Sequence, residues 1–311
     1  MHYYKQTRYK LLRTFCVVAQ KENITHAAEQ LHISQPTVSL QVQALEREMG
    51  QKLLERRGPS VKLTPEGKVL YQLVQPLAAG IDGLRESFAA SLGKMEMGEL
   101  NIATGQSTSL YVLPKYIQQF KEAYPGIRIN LHTVEGQSGM KLLLEDQVDL
   151  AIGPLLQIPE SIIYQPFENF RSILIVPEGH PLTQQINISL EDISPYGLIL
   201  PPKNQSTWRM IDTVFRQHEV AYTVSMEAGG WEIVKKYVEL GVGISIVTDV
   251  CLTPNDKIVA IPLDHYFPSR NYGLIVRKGK FFTPQAKRFI EMFDPFFFSR
   301  SALEDEEEDE L

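Results

Sequence analysis

The sequence predicts a multidomain α/β chain built from a small winged helix-turn-helix head, a long connecting helix and a two-lobed α/β body. Three observations carry this reading: apolar residues recur at three-and-four spacing up to Gly93, short apolar runs alternate with amphipathic helices beyond it, and charge is segregated along the chain. At 311 residues, with 43% hydrophobic and 22% charged positions, the chain is long enough for two or three domains of about 150 residues. It is also apolar enough to bury their cores, which excludes a disordered polyampholyte or a fibrous repeat.

Leu11, Leu12, Phe15, Val18 and Ala19 place one buried face on a first helix. A second, short helix has Thr25 as its expected cap and the small residues Ala27 and Ala28 for close approach. After a turn at His32 and Ile33, Ser34 caps a third helix with Pro36 in its first turn and Gly50 at its stop. Val38, Val42, Leu45 and Met49 share its inner face, while Pro36, Leu40, Gln43 and Arg47 project outward. KLLERRGPSVKL, residues 52–63, reads as a hairpin with a cationic tip, the wing. Thr64, Pro65 and Glu66 open a long helix through Val69, Leu70, Leu73, Leu77, Ile81, Leu84 and Phe88, with a kink expected at Pro76 and Gly80. Its apolar stripe calls for a partner, and its copy in a second subunit is the economical one.

Beyond Gly93, ELNIATG, IRINLHTV and VDLAIGP are strands separated by helices, a βαβαβ unit. RSILIVP, YGLILPP, VSMEA, VGISIV and NYGLIVRK continue the alternation, with helices at WRMIDTVFRQH, IVKKYVELG and residues 284–293. The expected divisions are a head over 1–64, a connecting helix over 65–93, a body over 94–300 and an acidic tail over 301–311. Within the body, one lobe takes 94–164 with 268–300 and the other 165–267. Ligands of open parallel sheets bind beyond the carboxyl ends of the strands, so the loops there are the candidate site.

Residues 1–68 hold eleven Lys and Arg against six Asp and Glu, whereas 69–311 hold twenty against thirty-one, seven of them in the run Glu304–Glu310. The basic head can therefore attract nucleic acid although the whole chain is at −6. A recognition helix places its N-terminal side chains in the major groove. Ser34, Gln35, Pro36, Thr37, Ser39, Leu40 and Gln43 are positioned for that, with Thr25 beside them, while Arg56, Arg57 and Lys62 suit phosphate. Chemistry of other kinds finds little support. The two cysteines, Cys16 and Cys251, form no CxxC or metal spacing and read as buried thiols, and the seven histidines are scattered. GxG at Gly241 and Gly243 runs from a helix into a strand, GQSG at 136–139 is one residue short of a nucleophile elbow, and no P-loop or HExxH occurs. The absence of a long apolar run and of a secretion signal points to the cytosol, with no membrane partner.

The run AAEQLHISQPTVSLQVQALEREMGQKLLERRGPSVKLTPEG resembles the N-terminal winged helix-turn-helix of LysR-type transcriptional regulators. The matching features are the SQPTVS opening of the recognition helix, ALE with its downstream Gly50, and LTPEG leading into the linker helix. The resemblance implies double-stranded promoter DNA as partner, dimers or tetramers through the linker helix, contact with RNA polymerase, and an effector domain similar to periplasmic solute-binding proteins. Many relatives carry a basic residue where this chain has Leu40 and Gln43, and Leu54 replaces a common Phe of the wing.

GELNIATGQSTSLYVLP and WEIVKKYVELGVGISIV further resemble the cysteine-regulon activators of that family, which implies a link to sulfur metabolism. The implied effector-binding residues are Thr104, Gly105, Gln106, Ser107 and Thr108 in the turn after the first body strand, Gly153 and Pro154, Ser206 with its neighbour Thr207 near a predicted helix start, and Gly229, Gly230 and Trp231. Hydroxyls and free N–H groups at helix starts suit an anion, so an anionic small-molecule effector is expected, with no cofactor and no metal. Two alternatives remain: a solute-binding protein without DNA function, and an α/β enzyme, for which no acid, base or nucleophile constellation is found.

Overall fold

The computed structural model describes residues 3–57, 60–92, 97–134, 138–155 and 157–299. The chain divides into two compact units, Met1–Met95 with Gly279–Pro284, and Glu96–Lys278 with Gln285–Leu311. The acidic tail lies outside the described residues.

The first unit opens with α1 (Tyr3–Lys21), α2 (Ile24–Leu31) and α3 (Gln35–Met49). Phe15 and Val18, Ala27 and Ala28, and Val38, Val42 and Leu45 are the buried contacts among them, so the spacing of the apolar residues set which faces meet. Asn23, not Thr25, caps α2: its extended backbone lets Oδ1 accept from the N–H of Thr25 at 2.8 Å and of His26 at 3.3 Å. Thr25 already sits within the first turn. His32, at φ +54, turns the chain out of α2, and Gly50, at φ +67, ends α3.

Strands β1 (Leu54–Arg57) and β2 (Ser60–Leu63) pair antiparallel as the wing, whose tip, Gly58 and Pro59, is outside the described residues. Thr64 then caps α4 (Pro65–Asp82), its Oγ1 accepting from Gly67 N at 2.9 Å. The helix runs unbroken through Pro76 and Gly80. It ends at Gly83, after which α5 (Leu84–Ser91) begins. Val69, Leu73, Leu77, Ile81, Leu84, Phe88 and Leu92 form one stripe along α4 and α5, each 52–67% exposed.

The second unit begins with β3 (Gly98–Thr104), a π-helical turn (Thr108–Val112) running into α6 (Leu113–Ala123), β4 (Ile127–Thr133), α7 (Ser138–Leu144), β5 (Leu150–Gly153) and β6 (Ile162–Phe170). It continues with β7 (Ser172–Pro177), α8 (Leu190–Ile193), β8 (Gly197–Leu200), α9 (Ser206–Gln217), β9 (Thr223–Glu227), α10 (Trp231–Glu239), β10 (Ser245–Thr248) and β11 (Ile258–Pro262). Finally come β12 (Arg270–Arg277) and α11 (Pro284–Glu291).

Two sheets result. The first has the order β4-β3-β5-β12-β6, with β4, β3 and β5 parallel, as the βαβαβ pattern requires, and β12 antiparallel to both its neighbours. The second joins β10-β7-β11 to the parallel pair β8-β9 through the bridge Leu198–Ile244. One side of this second sheet is packed with Leu174, Leu198, Phe215 and Ile246, the other with Ile175, Val234, Val238 and Val247. Both cysteines are buried, as expected.

Strands β6 and β11 were not expected. Gln165, Pro166, Glu168 and Asn169 interrupt the apolar pattern of β6, which is tolerated because it is the sheet edge, and Pro166 lies opposite Gly273 where the register shifts. Since β6 stays in the first sheet through Phe170, the chain crosses between lobes at Arg171 rather than after residue 164.

Candidate effector cleft and DNA-contacting face

On the head, α3 turns an outer surface to solvent. Ser34, Gln35, Pro36, Leu40 and Gln43 are exposed, Thr37 and Ser39 half-buried, and Leu40, at 62%, is a large apolar side chain held out beyond the polar residues around it. Ser34 Oγ accepts from Thr37 N at 3.3 Å and lies 2.8 Å from Thr37 Oγ1, which fixes the start of the helix. Gln35 Nε2 donates to Thr25 Oγ1, so α2 orients the first side chain of the recognition helix. Behind this surface, Thr14 Oγ1 donates to Gln41 Oε1 at 2.5 Å and ties α1 to α3. Lys62 is exposed on β2. Arg56 and Arg57 occupy β1 opposite Val61 and Ser60, while their side chains lie outside the described residues. An exposed helix start with amide and hydroxyl groups, beside a short basic hairpin, is the equipment for reading a major groove.

In the second unit, a cavity of about 910 Å³ lies at the carboxyl ends of β3 and β5 and the amino ends of α9 and α10. Its walls include Thr104, Gly105, Gln106, Ser107, Thr108, Gly153, Pro154, Ser206, Gly230 and Trp231. The structure therefore gathers every expected effector residue except Gly229, which precedes the lining pair. Thr104 and Thr108 are almost fully buried there. Gly230 is at φ +84, a backbone conformation that favours glycine, and Gln106 Oε1 lies close to this turn. The two helix starts lack side-chain caps: neither Gln205 before α9 nor Gly230 before α10 makes such a bond.

Sequence reasoning named Thr207 beside Ser206 but missed Arg270 and Tyr272, among other lining residues. Thr207 is buried beside Ser206, and Arg270 and Tyr272 enter from the start of β12. Arg270 Nη1 donates to Thr207 Oγ1 at 2.5 Å and Nη2 to Ser206 Oγ at 2.7 Å. Burial pushes the guanidinium pKa down, but an arginine stays charged. The signal was an arginine directly before an apolar strand read as starting at Asn271. Among the described residues, Lys141, Arg209 and Arg270 line the cavity against one acid, Glu145, which pairs with Lys141 at 3.7 Å. Ala103, Ile152, Tyr272 and Ile275 supply apolar wall.

The two lobes also meet outside the cavity. Tyr111, from the π-helical turn, donates to Glu232 of α10 and lies under Lys235, whose Nζ is 5.4 Å from its ring centre. Burial first, then the Glu232 carboxylate, pushes the Tyr111 hydroxyl pKa up, so it remains the donor. Lys235 is buried, donating to Cys251 O at 2.7 Å and to both Asp256 oxygens at 3.0 Å. Among the described residues no group of three or more His, Cys, Asp or Glu could hold a metal ion, and no helix is long and apolar enough to cross a membrane.

A helix-turn-helix head followed by a cleft-bearing α/β unit defines a DNA-binding regulator with a small-molecule receptor. Comparison with known proteins agrees. The model described as "Bacterial regulatory helix-turn-helix protein, lysR family" matches residues 9–68, and the one described as "LysR substrate binding domain" matches 93–296. The chain is 32% identical over 283 residues to the HTH-type transcriptional regulator SsuR of Burkholderia cenocepacia, covering 89% of this chain and 91% of that one. It is 28% identical over 293 residues to the HTH-type transcriptional regulator CysB of Haemophilus influenzae, covering 93% and 90%. The solved cofactor-binding domain of the Cbl transcriptional regulator aligns at a TM-score of 0.60 and 26% identity, over 64% of this chain and 89% of that one. The chain belongs to the LysR family of transcriptional regulators.

Proposed function

We propose that the cleft takes a small organic anion as effector, and that its occupancy sets how paired heads grip promoter DNA. The observation that carries this is the charge of the cavity: among the described residues, three cations against one acid, with the uncapped starts of α9 and α10 facing it. Thr104, Gly105, Gln106, Ser107 and Thr108 hold the ligand from one lobe, Ser206, Thr207, Gly230 and Trp231 from the other. Ligand held by both lobes favours one arrangement of them over another, which is the differential binding a switch requires.

On the DNA side, Gln35, Ser39, Leu40 and Gln43 read base edges and Lys62, Arg56 and Arg57 bind phosphate. The exposed stripe of α4 and α5 supports dimers, from which a tetramer and contacts to RNA polymerase follow as further proposals. The matches to SsuR and CysB, with the resemblance to cysteine-regulon activators, support a role in sulfur metabolism, carried out in the cytosol. The division of labour on the head is tested by binding to a set of duplexes. Gln35→Ala is expected to change the order of preference among sequences, and Lys62→Ala to weaken all of them alike and lower the salt dependence by about one phosphate contact. Identical effects of the two changes on every duplex would refute the assignment.

A further inference from the structure

Arg270 is chemically out of balance with its surroundings. Its side chain is enclosed, 7% exposed, and its partners are two neutral hydroxyls, Ser206 Oγ and Thr207 Oγ1. Nε is buried without a hydrogen-bond partner, and among the described residues no carboxylate forms an ion pair with the guanidinium. An enclosed cation without a counter-charge costs several kcal/mol of desolvation, so a fold under no other demand replaces it with an apolar side chain. The two hydroxyls stand in the first turn of α9, a helix of twelve residues whose Gln205 cap makes no side-chain bond. Guanidinium and helix start thus add their positive potential at one place.

The position is as informative as the charge. Arg270 opens β12, a strand of the first sheet, whereas Ser206 and Thr207 belong to the other lobe. A group bound between them is held by both lobes at once. The surrounding wall is apolar at Ile152, Tyr272, Ile275 and Trp231, and a cavity of about 910 Å³ is far larger than an inorganic ion needs.

We propose that Arg270 is the specificity-determining residue of the cleft: it binds the acidic group of an organic acid between its guanidinium and the first turn of α9, and excludes neutral molecules of the same shape. The inference rests on the reading of the cleft as an anion site, and goes beyond it by placing the anion's anchor at Arg270 rather than at the Thr104–Thr108 turn.

The test uses the full chain and inorganic sulfate as the simplest oxyanion probe, read through tryptophan fluorescence, since Trp231 lines the cavity. Chloride at matched ionic strength is the control. Arg270→Gln is expected to weaken sulfate binding about ten- to hundredfold, and Arg270→Lys to fall between it and the parent, because charge is kept and the fork is lost. Thr104→Val is expected to weaken it less than Arg270→Gln. The thermal midpoint of Arg270→Gln should equal or exceed the parent's, an outcome that a purely structural arginine would reverse. Glutarate and its neutral diamide then separate organic acid from free ion: glutarate should bind more tightly than sulfate, and the diamide should not compete. Unchanged sulfate affinity in Arg270→Gln, or a diamide that competes equally, overturns the role of Arg270 while leaving an anionic cleft intact. A parent chain that responds to no anion overturns the cleft reading itself.

Discussion

Replacing Lys235 by methionine keeps the aliphatic stem and removes the ammonium, which is 2% exposed and serves Cys251 O and Asp256. Asp256, 12% exposed, would retain the Thr253 N–H at 2.7 Å and lose its cation. Breaking a buried pair from one side costs about 3–5 kcal/mol, and the partial exposure of Asp256 places this case near 3. For a unit of this size that lowers the thermal midpoint by about 6–12 °C. Glu232, 53% exposed, is the weaker partner, and Glu232→Gln should cost about 0–1 kcal/mol. Combining Lys235→Met with Asp256→Asn removes both charges and should recover most of the loss, a coupling of about 2 kcal/mol in chemical denaturation.

Acid adds a second signature. Burial pushes the Asp256 pKa up, but the Thr253 N–H and the Lys235 ammonium outweigh it and hold the carboxyl below its ordinary 3.8. In the parent, this contribution is complete above that range and is lost as pH falls through the lower folded value. In Lys235→Met the carboxyl is enclosed without its cation, its folded pKa rises, and the variant gains stability relative to the parent as pH falls through that raised value toward the unfolded one. A double variant as unstable as Lys235→Met, with no narrowing of the gap in acid, would refute this account of the cluster.

Two further outcomes are expected. Gly67→Ala would place a Cβ 2.0 Å from Leu53 O, a backbone atom that cannot swing aside, so the head should lose at least about 1–3 kcal/mol in thermal unfolding. Leu77→Glu, at the 67% exposed centre of the α4 stripe, should shift the mass seen by light scattering toward the monomer and weaken binding to a two-half-site duplex more than to a single half-site.

Much of this architecture was legible because it rests on periodicity. The 4-3-4 spacing of Val38, Val42, Leu45 and Met49 determined which face of α3 is buried, though Met49 is only partly covered. Caps at Ser34, Thr64 and Gly50 marked real boundaries, because their chemistry is local. Thr25 misled because Asn23, two residues earlier, has the extended backbone a cap requires and accepts from the Thr25 and His26 N–H groups, which starts the helix before Thr25. Strand β6 was hidden because an edge strand needs neither strict alternation nor every N–H. The cleft was legible in the turn at 104–108 and the helix starts, since sheet order places such loops together. Arg270 was not, because its meaning comes from Ser206 and Thr207, over sixty positions away in the chain and brought near only by the crossing of β12.

The central claim is that the head grips duplex DNA at a defined sequence. Footprinting the region upstream of this chain's own coding sequence across a salt series tests it most directly. The account predicts a discrete protected site whose log affinity falls linearly with log salt, with a slope set by the phosphate contacts of the wing and α3. Uniform weak retention of every duplex, or no retention at low salt, would contradict it.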